Sequence, residues 1–274
     1  MIGVCIATYN QEAFIAQAIE SALMQVCNEP LRVYIGDDAS TDDTEDICRK
    51  YAAKDERIVY VRREANRGLV DNTIDLYLRM MADECTYIAM LDGDDYWTDQ
   101  HKLQMQVDYL SSHPEVGLVH TAAYEERKGK RLEIDNPDKP TGDLSHRYDL
   151  HGAWQTNCTV VFRTALLTKE ALDTIREQHF WVLDYPLYGL FSQQTRIEYI
   201  HQYTASWRIH ESVSHTTSIK RFLRYQYHYA RAWRWLDKKY PGHFHFRWYK
   251  ALGWYSWQVF YALVHFCKVY FAKK

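Results

Sequence analysis

The first 38 residues read MIGVCIATYNQEAFIAQAIESALMQVCNEPLRVYIGDD, and they decide the fold class. Residues 2–7 are an unbroken apolar run of strand length, closed by Thr8-Tyr9-Asn10. Apolar side chains then recur at Phe14, Ile15, Ala18, Ile19, Ala22, Leu23 and Val26. That is the spacing of an amphipathic helix, with Asn10 placed to cap it. Residues 31–35 give a second strand, ended by Gly36-Asp37-Asp38. Two strands separated by a helix of this length require a crossover, and hence parallel pairing.

The alternation continues outward. A strand is expected at residues 58–61, a helix at 69–81, and a strand at 87–91 stopped by Asp92-Gly93-Asp94-Asp95. A helix at 100–112 and a strand at 116–124 follow. The fold class is therefore α/β, a single mainly parallel, Rossmann-like sheet with helices on both faces. In such sheets ligands bind beyond the carboxyl ends of the strands. The polar loops after Ala7, Ile35 and Leu91 all lie there. Residues 125–150 turn polar, with Pro137 and Pro140, and read as a surface loop. A strand at 156–162 and a helix at 165–178 come next, and from residue 219 the chain is helical, basic and aromatic.

The formal net charge of −3 gives no reason to expect a nucleic-acid partner. Six cysteines without a CxxC pair argue against a zinc site and for reduced, mostly buried thiols. The chain enters its first strand without a basic, cleavable leader, which leads to an expected cytoplasmic location.

Three carboxylates in Asp92-Gly93-Asp94-Asp95 repel one another unless a cation or solvent compensates. Hard oxygen ligands of this kind suit Mg²⁺ or Mn²⁺, although a solvated acidic turn explains such a motif in isolation. Asp38 is placed to accept from a nucleobase or ribose, or equally to cap the next helix. Tyr9 is placed to stack near a base, and a plain turn accounts for it as well. No glycine-rich dinucleotide fingerprint follows the first strand, no P-loop is present, and no Lys and Thr arrangement supports an aspartyl phosphatase. A non-catalytic carbohydrate- or nucleotide-sugar-binding protein is the alternative from another class, and the intact acidic loop speaks against it.

Ala7-Thr8-Tyr9-Asn10, Asp37-Asp38-Ala39-Ser40-Thr41-Asp42, Asn66-Arg67-Gly68 and Asp92-Gly93-Asp94-Asp95 stand in the order and approximate spacing of the family-2 glycosyltransferases. The first 125 residues thus resemble the nucleotide-binding half of that family's A-type fold. The resemblance implies an inverting, metal-dependent transfer of sugar from a nucleotide diphosphate to an acceptor hydroxyl, in cell-surface polysaccharide or glycolipid assembly. It places Ala7, Thr8, Tyr9, Asp38, Arg67 and Asp92 around the donor nucleotide, and Asp94 and Asp95 at Mg²⁺ or Mn²⁺. Residues 181–187 resemble the segment that carries the catalytic base. Leu183 stands where an acidic residue is usual, so Asp184 becomes the base; its place ahead of Pro186 also fits a helix start. Residues 207–214 resemble a Y-R-x-H-x-x-S-x-S element, with Trp207 for Tyr. That match implies diphosphate binding by Arg208 and metal binding by His210.

The catalytic domain is expected to span residues 1–218, with a donor half at 1–125 and an acceptor half at 126–218. An extension covers 219–274. Aromatic residues make up 15% of the chain and crowd into that extension. There Arg221, Arg224, Arg231 and Arg234 alternate with Phe222, Tyr225, Tyr229, Trp233 and Trp235. Residues 251–272 have bilayer-spanning length, but Gln258, His265 and Lys268 interrupt them. Two readings stay open: a helix on the inner membrane face, or a helix packed on the catalytic domain. Lipid-linked acceptors are common in the resembling family, and this tips the expectation toward the membrane.

Overall fold

The structure is a computed structural model that describes residues 1–133, 142–143, 155–210 and 219–242. The first half follows the expected alternation: β1 (Ile2–Thr8), α1 (Ile15–Leu23), β2 (Leu31–Asp37), α2 (Thr44–Ala52), β3 (Ile58–Arg62), α3 (Leu69–Ala82) and β4 (Tyr87–Met90). A short β5 (Tyr96–Trp97), α4 (Lys102–Ser112), β6 (Val116–Arg127), β7 (Lys130–Glu133) and β8 (Gly142–Asp143) come next. The chain continues through β9 (Val161–Arg163), α5 (Lys169–Glu177), α6 (Asp184–Ser192), β10 (Arg196–Arg208) and α7 (Ile219–Lys239).

The strands form one sheet in the order β3-β2-β1-β4-β9-β6-β10-β5, with β7 on β6 and β8 on β10. β3, β2, β1 and β4 are parallel, as crossover helices require. Beyond β4 the sheet is mixed. β9 enters antiparallel between β4 and β6, while β6 and β10 are parallel neighbours. The expected surface loop at 125–150 begins instead as a β6–β7 hairpin, turning at Lys128 and Gly129, whose φ angles of 50° and 76° suit a tight hairpin.

Two cores lie on opposite faces of the sheet. Alternate residues of β1 separate cleanly: Cys5 packs with α3, α5 and α6, while Ile2, Val4 and Ile6 pack with α1 and α4. Cys5, Cys48, Cys85 and Cys158 are buried free thiols and Cys27 is half-buried; Cys267 lies outside the described residues.

α7 is not an appendage. Ala232 and Leu236 are fully buried in the core that α6 also faces. A Cβ at Gly189 of α6 would come within 2.5 Å of Leu236, so the bare glycine is what lets the two helices approach. Tyr185 and Tyr229 meet at 4.5 Å between ring centroids, and Trp181 stacks on His228 at 4.9 Å with 6° between planes. For residues 219–242 the packed reading therefore holds on one helix face. Among the described residues no helix is long and apolar enough to cross a membrane. The aromatic run at 251–272 lies outside the described residues.

Candidate active site

The loops that follow β1, β2 and β4 meet at one end of the sheet. The first two are zipped together by reciprocal hydrogen bonds. Ser40 Oγ accepts from the Asn10 N–H at 2.9 Å, and Thr44 Oγ1 from the Gln11 N–H at 2.8 Å. In return Asn10 Oδ1 accepts from the Thr41 N–H at 2.8 Å. Asn10 is thus not the cap of α1, which begins only at Ile15 with no side-chain cap. Its amide instead satisfies an N–H across the crevice. Asn10 and Ala39 both adopt positive φ, 52° and 62°, a strained conformation that the zipper holds in place.

The two aspartates ending β2 have separate tasks. Asp37, fully buried, accepts from the Ser40 N–H and the Tyr60 hydroxyl, each at 2.8 Å. Asp38 is 2% exposed and accepts from the Arg67 N–H at 2.9 Å and the Gly68 N–H at 2.7 Å. Asp38 and Arg67, far apart in sequence, therefore share one site. Among the described residues the exposed Arg67 guanidinium has no hydrogen-bonded or ion-paired partner. Ala7 and Thr8 are buried beneath this rim, with the Thr8 hydroxyl donating to Gln11 Oε1 at 2.7 Å. Tyr9 projects above it and is 46% exposed, a large aromatic face left to solvent.

The acidic loop lies directly against the first loop. A Cβ on Gly93 would collide with Gln11 Oε1 and Thr8 Oγ1, so glycine is required for this approach. Its three aspartates point to different partners. Both Asp92 carboxylate oxygens accept from the Asn157 side-chain nitrogen, at 2.9 and 3.0 Å, and Tyr188 donates to Asn157 Oδ1 at 2.7 Å. Asp94 Oδ2 lies 2.7 Å from His210 Nε2. Asp95 is buried and accepts from the Arg208 N–H at 2.9 Å, which ties β10 to the loop. Burial and then the charge of Asp94 push the Asp92 carboxyl up to about 7, against the Asn157 hydrogen bonds that lower it. Burial, then Asp94 and Asp92, raise Asp95 well above the usual carboxylate range.

Arg208 is engaged on every side. Its guanidinium donates to the Asp94 carbonyl at 2.7 Å, to Gln17 and to Glu126, and lies over the rings of Tyr96 at 4.4 Å and Phe14 at 5.2 Å. In this arrangement it braces the acidic loop from behind. Asp184 occupies the first turn of α6. The preceding residue, Leu183, makes no side-chain cap. Burial raises its carboxyl pKa, partly offset by the N–H groups of Asp184 and Tyr185. Its charge in turn raises Asp92, so the two carboxylates lie in each other's field.

Mg²⁺ and Mn²⁺ complete their shells with substrate phosphates and water, so they need few protein ligands. Among the described residues no cluster of three or more His, Cys, Asp or Glu is assembled to hold a metal. The Asp94–His210 pair, beside two buried carboxylates whose pKa values are raised by burial and by neighbouring carboxylates, is a donor set that fits such an ion.

Sequence reading missed Asn157, Gln17 and Glu126. Each is a single polar residue in an unremarkable stretch; only the fold brings Asn157 to Asp92, and Gln17 and Glu126 to Arg208.

The family model for glycosyl transferase family 2 matches residues 3–176. The chain belongs to that family. An uncharacterized protein of Mycobacterium tuberculosis, Rv1520, is 41% identical over 109 residues, 39% of this chain and 31% of that protein. The match thus spans about a third of that relative's length. This family member is also 26% identical to the Escherichia coli UDP-Glc:alpha-D-GlcNAc-diphosphoundecaprenol beta-1,3-glucosyltransferase WfaP, over 82% of this chain and 83% of WfaP. Its fold is similar to that of S. aureus TarS in complex with UDP-GlcNAc, with a TM-score of 0.62 and 18% identity, over 85% of this chain and 66% of TarS.

Proposed function

We propose that this family-2 protein is an inverting glycosyltransferase that moves a sugar from a nucleotide-diphosphate donor to the hydroxyl of a lipid-linked acceptor in surface-polysaccharide assembly. The observation that carries the proposal is Asp184. Its carboxylate is raised in pKa by burial and lies in the field of Asp92 at the donor loops. Such a carboxylate is a stronger base than a solvated one, which supports its taking a proton from a group entering beside the donor.

In this reading Tyr9 offers its exposed ring to the nucleobase, and Asp38 and Arg67 border the nucleoside. Asp92, oriented by Asn157, accepts from the ribose. Asp94 and His210, with Asp95 behind them, would hold Mg²⁺ or Mn²⁺, which when bound neutralises charge on the leaving diphosphate. Arg208 keeps the loop carrying these ligands in place and adds positive charge behind the diphosphate. As the acceptor oxygen bonds to the anomeric carbon, its proton passes to Asp184 and the carbon–phosphate-oxygen bond breaks. A single displacement from the face opposite the leaving group inverts the anomeric centre. The lipid-linked acceptor is supported by the activity named for WfaP, and a site at the inner membrane face follows from such an acceptor.

Asp184→Asn keeps the shape of the side chain and removes the base. Transfer is expected to fall roughly 10²–10⁴-fold with donor affinity and thermal stability unchanged. Near-parental transfer by a stably folded Asp184→Asn protein would place the base elsewhere.

A further inference from the structure

α7 carries a surplus of positive charge that the fold does not neutralise. Lys220, Arg221, Arg224 and Arg234 are exposed, and among the described residues none of them, nor Arg231, has a carboxylate partner. Unpaired cations gathered on one element raise the local potential and attract an anion.

Two of these arginines meet the segment that leads into the proposed base. The Arg224 guanidinium lies over the Trp181 ring at 4.4 Å, and His228 stacks on the same ring. Arg231 lies over Phe180 at 5.6 Å while donating to the Gln178 carbonyl at 3.0 Å. Trp181 stands three residues before Asp184 on the same segment. Tyr225, next to Arg224, is near enough to Asp184 that its phenol is raised by burial and then by that carboxylate's charge.

His228 supplies an independent sign. It is 7% exposed, and its Nδ1 has no hydrogen-bond partner among the described residues. Burial, then the charges of Arg231 and Arg224, hold its pKa below the ordinary value. The surroundings of Trp181 are thus already positive, with an uncommitted ring nitrogen among them.

We propose that Arg224, stacked on Trp181 and backed by His228 and Arg231, holds the diphosphate of the lipid-linked acceptor beside Asp184. The inference rests on the transferase reading above and names the acceptor group that this site recognises. In a sugar linked to lipid through diphosphate, one ring separates the reacting hydroxyl from the anomeric phosphate. The base and the anion site must therefore be neighbours, and Trp181, three residues before Asp184, and Tyr225, which feels the Asp184 charge, link the two. Arginine suits the task because its planar fork binds phosphate oxygens in pairs while its face rests on an aromatic ring.

The test is calorimetric titration of the full chain with decyl diphosphate, inorganic pyrophosphate and decyl maltoside, with EDTA present so that the acidic loop holds no metal. Decyl diphosphate is expected to bind more tightly than pyrophosphate, and decyl maltoside to show no binding. Arg224→Gln should weaken decyl diphosphate roughly tenfold or more, with Arg224→Lys in between. Lys220→Gln, on the same exposed helix, serves as the control for general charge loss and should change it far less. Equal binding by the parent and Arg224→Gln would overturn the site, and pyrophosphate binding as tightly as decyl diphosphate would overturn the lipid source. Asp184→Asn, which removes a neighbouring negative charge, should bind decyl diphosphate at least as tightly as the parent. An Asp184→Asn protein that still transfers sugar while Arg224 still governs diphosphate binding would sink the base assignment and leave this site standing.

Discussion

At the level of single residues, the acidic loop divides its labour by burial. Asp95 and Arg208 are committed to holding the loop, whereas Asp94 keeps an oxygen for His210 and an incoming ion. Asp94→Ala should leave the fold intact and abolish the gain in nucleotide affinity that Mn²⁺ gives the parent. Titration of UDP or GDP with and without Mn²⁺ measures that gain; an undiminished gain in the variant would exclude Asp94 as a ligand. Lys102 poses a different problem. It is fully buried on α4, donates to Gln106 Oε1 at 2.6 Å and lies over Trp97 at 4.6 Å. Burial drives its pKa down to about 7 from an ordinary value of 10.5. Between those values the unfolded chain binds a proton that the folded chain does not, so this group's contribution to stability improves as pH rises from 7 toward 10.5. Below about 7 its penalty is complete. Lys102→Met removes the titration, so the parent's stability relative to that variant should rise by a few kcal/mol across the window. Urea melts of both proteins at pH 7 and pH 10 check the sign, and a constant difference would contradict it.

At the level of elements, the pairing of α6 with α7 connects the proposed base to the C-terminal helix. Leu236 fills the space above Gly189, and Tyr229 packs on Tyr185, one residue after Asp184. Leu236→Ala should leave a cavity against α6 and cost roughly 2–5 kcal/mol of stability, read from the urea midpoint. A loss within experimental error would mean that the helices do not depend on this contact. Of the two readings of the extension, the packed one accounts for one face of residues 219–242. Tyr225, Tyr229, Trp233 and Trp235 serve the packing face, while Tyr227, Arg221, Arg224 and Arg234 are exposed. A periodicity of 3.6 residues gives two faces, and only a neighbour reveals which of them is covered.

At the level of the whole molecule, the loops that meet at the crevice belong to the strands β1, β2 and β4, and the proposed base and the arginines near it belong to α6 and α7. A chain ending at residue 218 should therefore unfold at lower denaturant, because Ala232 and Leu236 leave the core. Its metal-dependent nucleotide binding should persist under native conditions. An unchanged unfolding midpoint would show that α7 adds nothing to the fold.

The strand–helix alternation of residues 2–124 was legible because each segment carries its own period, 2 or 3.6, within a short window. The acidic loop and the two loops that meet it were legible for the same reason, since their residues are contiguous in sequence. The antiparallel entry of β9 between β4 and β6 was not, because three residues of apolar strand carry no mark of which partner or direction they take. Nor was the hold of Asn157 on Asp92, of Asp38 on the Arg67 and Gly68 N–H groups, or of Arg208 between Phe14 and Tyr96. The sequence by itself determined which residue types stand at which strand ends. Tertiary structure alone decided which of them are spent on each other and which remain for a ligand, because a hydrogen bond between residues 29 to 65 positions apart depends on how the sheet brings its strand ends and edges together.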